Sequence, residues 1–247
     1  MGDNKQVPLP KFSDNICIVL IRPENDGNIG AVARNLMNFG IIDLRVVGHT
    51  GNWSETVRKR AKNAQLVLKK ARVYESLEKS VSDCSIVVGT SGKREGGNKT
   101  AYRHFLSPDE LPFRLNNIEG RVAIVFGPEG KGLLNEELKK CDLLVNINTW
   151  PGYPILNLSH AVSIICHSWF NKKNNYQEID DRLLSPQLRK KLRIEIKRLV
   201  KNMKTKDHRR AGIEDTLLRV IMRGLPKDDE IHRILAVITQ AADSFQD

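Results

Sequence analysis

At 247 residues, with 40% hydrophobic residues and a net charge of +11, the chain can bury the core of one large domain, or of a medium domain with a small companion, and does not belong with disordered proteins. The positive balance points to a polyanionic partner, nucleic acid first, because neutralising phosphates releases condensed counterions; a merely soluble basic protein is the other reading. No apolar run approaches the roughly 18 residues of a membrane helix, and the polar start MGDNKQVPLPKF lacks a signal-like apolar stretch, so a cytoplasmic protein is expected.

Residues 1–14 read as an N-terminal extension. The run ICIVLI, Ile16–Ile21, follows as a buried strand, then a helix from about Asn28 to Phe39 with Ile29, Val32, Ala33 and Leu36 at helical spacing. Further strands are expected at Leu44–Gly48, Ser85–Gly89, Val122–Phe126 and Leu143–Ile147. Helical patterns separate them at Glu55–Lys69, Ser76–Val81, Ser107–Arg114, Asn135–Lys140 and Asn157–Phe170. Strands apolar on both faces that alternate with helices predict an α/β fold, a mainly parallel sheet with helices on both faces. The polar stretch NKKNNYQE marks a linker, 172–185, before a small all-α extension, 186–247, with helices at Pro186–Lys204, Lys206–Arg223 and Lys227–Ser244. In the first of these, Leu188, Leu192, Ile196 and Leu199 form an apolar stripe. The rest is crowded with Arg189, Lys190, Lys191, Arg193, Lys197, Arg198, Lys201 and Lys204. This is either a solvated face or, as the one-signed imbalance favours, a surface for RNA.

Cys17, Cys84, Cys141 and Cys166 have no C-x-x-C spacing, and three lie in or beside apolar runs. Buried free thiols are expected, with no metal site and no structural disulfide. His160 has no histidine or cysteine partner at ligand spacing and reads as a packing residue. Gly27-Asn28-Ile29-Gly30 lacks the middle glycine of a dinucleotide fingerprint. Gly127-Pro128-Glu129-Gly130-Lys131-Gly132 lacks the spacing and the hydroxyl of a P-loop. What remains is a strand ending in a glycine-rich turn that permits close approach at the carboxyl edge, where ligands sit in open α/β sheets.

Three segments lie at the ends of predicted strands: Asn28-Ile29-Gly30-Ala31-Val32-Ala33-Arg34, Val125-Phe126-Gly127-Pro128-Glu129-Gly130-Lys131-Gly132-Leu133, and Leu156-Asn157-Leu158-Ser159. In them the chain resembles the SPOUT methyltransferases, whose motifs N-x-G-x-x-x-R, V-F-G-x-E-x-x-G-L and L-N-x-(S/A) occur here in order, within Ile16–Phe170. The turn Gly89-Thr90-Ser91-Gly92 and the basic helical tail narrow the likeness to the TrmJ branch of the TrmH-like group; the tail matches in placement and character only. The resemblance implies a C-terminal trefoil knot in the sheet and a homodimer. It also implies transfer of a methyl group from S-adenosylmethionine, without a metal, to a ribose 2′-hydroxyl of tRNA at nucleotide 32 of the anticodon loop. An rRNA 2′-O-methyltransferase of the same fold and a non-catalytic RNA-binding relative are the alternatives.

The resemblance assigns the donor pocket to Thr90, Ser91, Gly92, Gly127, Ile147, Pro154, Ile155 and Leu156, residue types that offer an adenine ring apolar walls and backbone partners. Many relatives carry serine where this chain has Ile155, so any role of that hydroxyl is absent or taken by another group. The catalytic set it implies is Arg34, Asn28 and Glu129. Arg34 is a surface arginine or the family's methyl-transfer arginine. A guanidinium stays protonated, so clamping a phosphate or stabilising a developing 2′-alkoxide suits it better than acting as a base. Asn28 caps its helix, serves the site, or does both. Glu129 is an ordinary exposed glutamate or fixes Arg34 or the ribose. Asn157 is expected to cap the last helix of the domain. Lys93 and Arg94, in the loop SGKREGGNKTAYRH, either belong to an ordinary loop or close over RNA together with Arg189, Lys190, Arg193 and Lys197.

Overall fold

The computed structural model describes residues 7–92, 105–115, 118–173, 185–224 and 226–245. Lys93, Arg94 and most of the expected linker lie outside them. Within them seven strands form one sheet: β1 (Ile16–Ile21), β2 (Leu44–Val47), β3 (Arg72–Tyr74), β4 (Cys84–Thr90), β5 (Phe105–Leu106), β6 (Arg121–Phe126) and β7 (Leu143–Val145), in the order β3-β2-β1-β6-β4-β7-β5. Every pairing is parallel, as the two-faced apolar runs require. Alternate residues of β1 feed opposite cores. Ile16, Ile18 and Leu20 join one hydrophobic cluster, while Cys17, Val19 and Ile21 join the other. The strands absent from the sequence reading, β3 and β5, are the two edges; β3 is largely exposed, and an edge strand leaves no long apolar run to find.

The helices are α1 (Asp26–Asn38), α2 (Glu55–Ala61), α3 (Gln65–Lys70), α4 (Leu77–Ser80), α5 (Glu110–Arg114), α6 (Asn135–Lys139) and α7 (Leu158–Lys173), then α8 (Pro186–Asn202), α9 (Asp207–Arg223) and α10 (Asp228–Ser244). Two local readings are corrected. The cap of α1 is Asn25, whose side chain accepts the Gly27 N–H at 2.7 Å, so Asn28 lies inside the helix. The single helix expected over 55–69 is two, because Lys62 takes a positive φ of 50° and the Gln65 amide caps the carbonyls of Arg58 and Lys62. Within the expected N-terminal extension, Phe12 is buried and meets Phe170 edge-on at 6.2 Å.

Gly30 lets α1 lie against α2. A β-carbon there would fall 2.3 Å from the Val57 carbonyl oxygen and 2.7 Å from Arg60 Cβ, a clash with backbone that no rotamer relieves. Gly30→Ala is therefore expected to destabilise the fold by about 1–3 kcal/mol, the usual cost of overpacking, read as a lower midpoint in urea.

Leu192, Ile196 and Leu199 of α8 and Ile231, Leu235 and Ile238 of α10 belong to the same hydrophobic cluster as the sheet face bearing Ile16. The basic helix is thus docked on the sheet. Its first arginines face inward: Arg189 Nε and Arg193 Nη2 each reach a carboxylate oxygen of Asp142 at 2.6 Å, and the Asp142 side chain is fully buried. Asp142 also accepts the Val87 N–H at 2.8 Å. Burial opposes ionisation of Asp142, but the two guanidiniums outweigh it and hold the carboxyl below its ordinary range. Of the four residues of this helix expected to face RNA, Arg189 and Arg193 are engaged in this cluster, while Lys190 and Lys197 are exposed.

Candidate active site

Strands β6, β4 and β7 are neighbours in the sheet, so the loops at their carboxyl ends meet. After β4, Thr90 Oγ1 donates to the Val125 carbonyl of β6 at 2.9 Å, and the Ser91 N–H donates to the Val145 carbonyl of β7 at 3.0 Å. Asn146, buried at the end of β7, donates its side-chain amide to the Ser91 carbonyl at 2.7 Å. These bonds pin the Thr90–Gly92 turn from both sides. Gly92 lies against Ile155, whose Cδ1 would be 3.0 Å from a β-carbon at 92. The three loops surround one open cleft, and all eight residues expected to hold a donor line it: Thr90, Ser91, Gly92, Gly127, Ile147, Pro154, Ile155 and Leu156.

The cleft has further walls that sequence reading missed. Phe105, Phe126, Leu133, Val145 and Leu158 add apolar surface, and Lys131 adds an ammonium. Phe126 and Leu133 sit inside the quoted motif and could have been found from it. Asn146 was readable as a polar residue closing the apolar run LLVN. Phe105 could not be found, because only the sheet order brings it here.

The glycine at 127 serves a different purpose from the one the sequence suggested. A β-carbon there would lie 2.2 Å from the Gly132 carbonyl carbon and 2.3 Å from the Leu133 nitrogen. The close approach is made by the chain itself as the turn doubles back, helped by a positive φ of 67° at Gly132 and a Gly132 N–H to Pro128 carbonyl bond of 2.8 Å.

A polar chain joins the three motifs. Asn157 Nδ2 donates to Asn28 Oδ1 at 3.1 Å, and Asn28 Nδ2 donates to Glu129 Oε1 at 2.8 Å. Glu129 also accepts the backbone N–H groups of Glu24 at 2.9 Å and Asn25 at 3.3 Å. Partial burial raises the Glu129 pKa, but the hydrogen bonds from Asn28 and the backbone outweigh it and the net shift is downward. An ionised acceptor this well supplied is a poor proton acceptor and a good anchor. It holds Asn28 and the start of α1, not Arg34. Asn157 has its expected place at the head of α7, with Oδ1 accepting the Ser159 N–H at 2.9 Å, and Asn35 Nδ2 staples α1 to the Ser159 carbonyl at 2.7 Å.

Glu129→Gln is expected to weaken the chain, because an amide presents one acceptor where the carboxylate presents two and places its NH₂ against donors. The activity of the site should fall, and a double-mutant cycle with Asn28→Ala should be strongly non-additive in that activity; additive losses would mean that the two side chains act independently.

Arg34 is not brought to the cleft. It lies on the exposed side of α1 and has no hydrogen-bond or ion-pair partner among the described residues. No group of three or more His, Cys, Asp or Glu side chains placed to hold a metal ion occurs among those residues, no helix there is long and apolar enough to cross a membrane, and all four cysteines are free.

The model of the SpoU rRNA Methylase family matches residues 15–167. The chain is 34% identical to the tRNA (cytidine-2′-O-)-methyltransferase TrmJ of Methanocaldococcus jannaschii over 90% of its own length and 97% of that protein. It is 27% identical to the enzyme of the same name from Sulfolobus acidocaldarius, over 90% and 92%. Among solved structures it is similar to TrmJ from Z. mobilis ZM4, with a TM-score of 0.72 at 26% identity, covering 91% of this chain and 97% of that one.

Proposed function

This chain belongs to the SpoU methylase family and is a methyltransferase, and from that premise we propose that it transfers a methyl group from S-adenosylmethionine to a ribose 2′-hydroxyl of tRNA, at nucleotide 32 of the anticodon loop. The observation that carries the reading is the convergence on one cleft, at three strand ends, of the eight residues that the resemblance assigns to a donor pocket. Its apolar walls, Ile147, Ile155 and Leu156, suit an adenine ring, and the pinned Thr90–Gly92 turn offers backbone groups to the ring edge.

The donor supplies an activated methyl group, so the task of the chain is orientation, which is worth up to roughly 7–11 kcal/mol of barrier in favourable cases. Asn28, held by Glu129 and Asn157, orders the junction of the three motifs, and in this reading it orients the acceptor ribose. The cation required beside the developing alkoxide is Arg34, and the partner that supplies it is a second copy. On α1, which carries Arg34, Met37 is 38% exposed, and on the neighbouring α7 Ile164 is 37% exposed; apolar side chains left in water on these two helices suit homodimer contact. A copy packed there would bring its Arg34 toward the cleft. In this reading residues 15–171 form the catalytic domain, knotted as in its family, and residues 186–247 add tRNA affinity through Lys190 and Lys197, with Lys93 and Arg94 also binding RNA. The mature site is expected in the cytoplasm with its tRNA.

Two measurements test the reading. Nucleoside mass spectrometry of tRNA after incubation with the protein and donor should show 2′-O-methylcytidine or 2′-O-methyluridine, and mass mapping of nuclease fragments should put it at nucleotide 32, with rRNA unmodified. Calorimetry should show donor binding without RNA. Modified rRNA with unmodified tRNA would give the activity to the ribosome instead, and absence of donor binding would leave an RNA-binding relative.

A further inference from the structure

The loop that carries Pro154, Ile155 and Leu156 into the cleft also holds up two aromatic side chains outside it. Trp150 is 75% and Tyr153 81% exposed, and neither lines the cleft. They stand at the two ends of one tight turn, closed by a Tyr153 N–H to Trp150 carbonyl bond of 3.0 Å and braced by Thr149 Oγ1 donating to the Pro154 carbonyl at 2.8 Å. Pro151 and Pro154 restrict the backbone further. The indole is not waving in solvent. A β-carbon at Gly152 would fall 2.2 Å from its Cη2 and 2.5 Å from Cζ2 and Cζ3, so the ring rests on the space that the missing side chain leaves. Gly152 is not in a left-handed conformation, which makes its lack of a side chain, rather than its backbone freedom, the feature in use.

A large aromatic ring left in water is informative where a scattered leucine would not be. This one is seated on backbone, between the cleft-lining residues Ile147 and Pro154 in sequence, on a chain of net charge +11. Single-stranded RNA is recognised largely by unstacked bases laid on aromatic faces. We propose that Trp150, seated on Gly152, is a stacking platform for an unpaired nucleobase of the RNA whose ribose enters the cleft. The proposal rests on the RNA-methyltransferase reading and adds to it the residue that engages a base. Trp150 is a positioning residue: it holds the strand so that the neighbouring ribose reaches the donor.

The test uses the full chain. Trp150→Ala should raise KM for tRNA about 5- to 150-fold, the fold-change that corresponds to one lost base stack, with KM for the donor unchanged. Trp150→Phe should recover most of the loss. Gly152→Ala, which keeps the indole but takes its seat, should move KM for tRNA in the same direction. Titration with a short oligocytidine should quench tryptophan fluorescence in the wild type and not in Trp150→Phe, since Trp169 is buried and Trp53 is held on the Leu68 carbonyl. An unchanged KM for tRNA in Trp150→Ala, or a quench that persists in Trp150→Phe, overturns the platform. So does a lighter sedimenting species for Trp150→Ala, which would place the indole between copies of the chain. The quench needs no methyl transfer. A wild-type protein that is quenched but methylates no RNA would therefore overturn the enzymatic reading and leave the platform supported.

Discussion

Arg34→Ala is expected to lower kcat for methyl transfer to tRNA by about 10²–10³-fold, the usual loss when one charge-stabilising donor is removed from a transition state, while donor affinity and folding stability stay as they are. Stability should not move because the side chain is exposed and without a partner among the described residues. Donor affinity should not move because the donor is assigned to the cleft's own walls, Thr90–Gly92, Gly127, Ile147 and Pro154–Leu156, and Arg34 to the acceptor ribose. Arg34→Lys separates two roles. A lysine keeps the positive charge but cannot make the planar fork of a guanidinium, so a phosphate clamp should lose most of its activity, while simple charge stabilisation of an alkoxide should keep much of it. Mixing Arg34→Ala chains with chains inactivated at the cleft by Glu129→Gln gives the second arm: recovery of activity in the mixed dimer would mean that the arginine acts across the interface. A kcat for Arg34→Ala within twofold of wild type would remove Arg34 from the chemistry.

Asp142→Asn is the variant with the largest expected effect on stability, a loss of about 3–5 kcal/mol, the range for breaking a buried ion pair from one side. It leaves Arg189 and Arg193 without their shared counter-charge, replaces an acceptor of the Val87 N–H, and does so where the carboxylate was fully buried. The pH dependence has a definite sign. The Asp142 carboxyl titrates lower in the folded chain than its ordinary value, so its stabilisation is fully present above the unfolded pKa of about 3.9 and is lost as pH falls toward the folded value. Urea midpoints of wild type and Asp142→Asn should therefore be far apart at neutral pH and should converge as the solution is acidified below that range. The triple replacement Asp142→Leu, Arg189→Met, Arg193→Met should recover stability, because no buried charge is left unpaired. A constant gap between wild type and Asp142→Asn down to strongly acid pH would mean that ionisation of Asp142 contributes nothing.

The buried carboxylate also shows where reading the chain alone reaches its limit. Arg189 and Arg193 flank an apolar stripe at helical spacing and are indistinguishable, by pattern, from Lys190 and Lys197. Their partner lies about fifty residues earlier, in the short segment before β7, and nothing local announces the pairing. The same holds for Asn28. Its place at the head of a periodic run made it a natural cap, yet Asn25 is the cap, which frees the Asn28 amide for Glu129, 101 residues away. Lys62, with its positive φ of 50°, breaks a helix that its sequence would have continued, and the Gln65 side chain that closes the break reaches back to the Arg58 and Lys62 carbonyls.

What the amino-acid order determined by itself is whatever depends on periodicity and on contiguous chemistry. Runs apolar at every position dictate strands buried on both faces, hence a parallel α/β sheet, and each glycine-rich or asparagine-led motif dictates a turn at a strand end. What only the tertiary structure decided is which strand ends are neighbours. The order β1-β6-β4-β7 sets the Thr90, Gly127 and Ile155 loops around one cleft, turns Arg189 inward to Asp142, and leaves Arg34 and Trp150 facing outward. Backbone hydrogen bonding fixes elements from near neighbours along the chain, whereas a site is assembled by packing, and packing joins residues whose separation in sequence carries no signal.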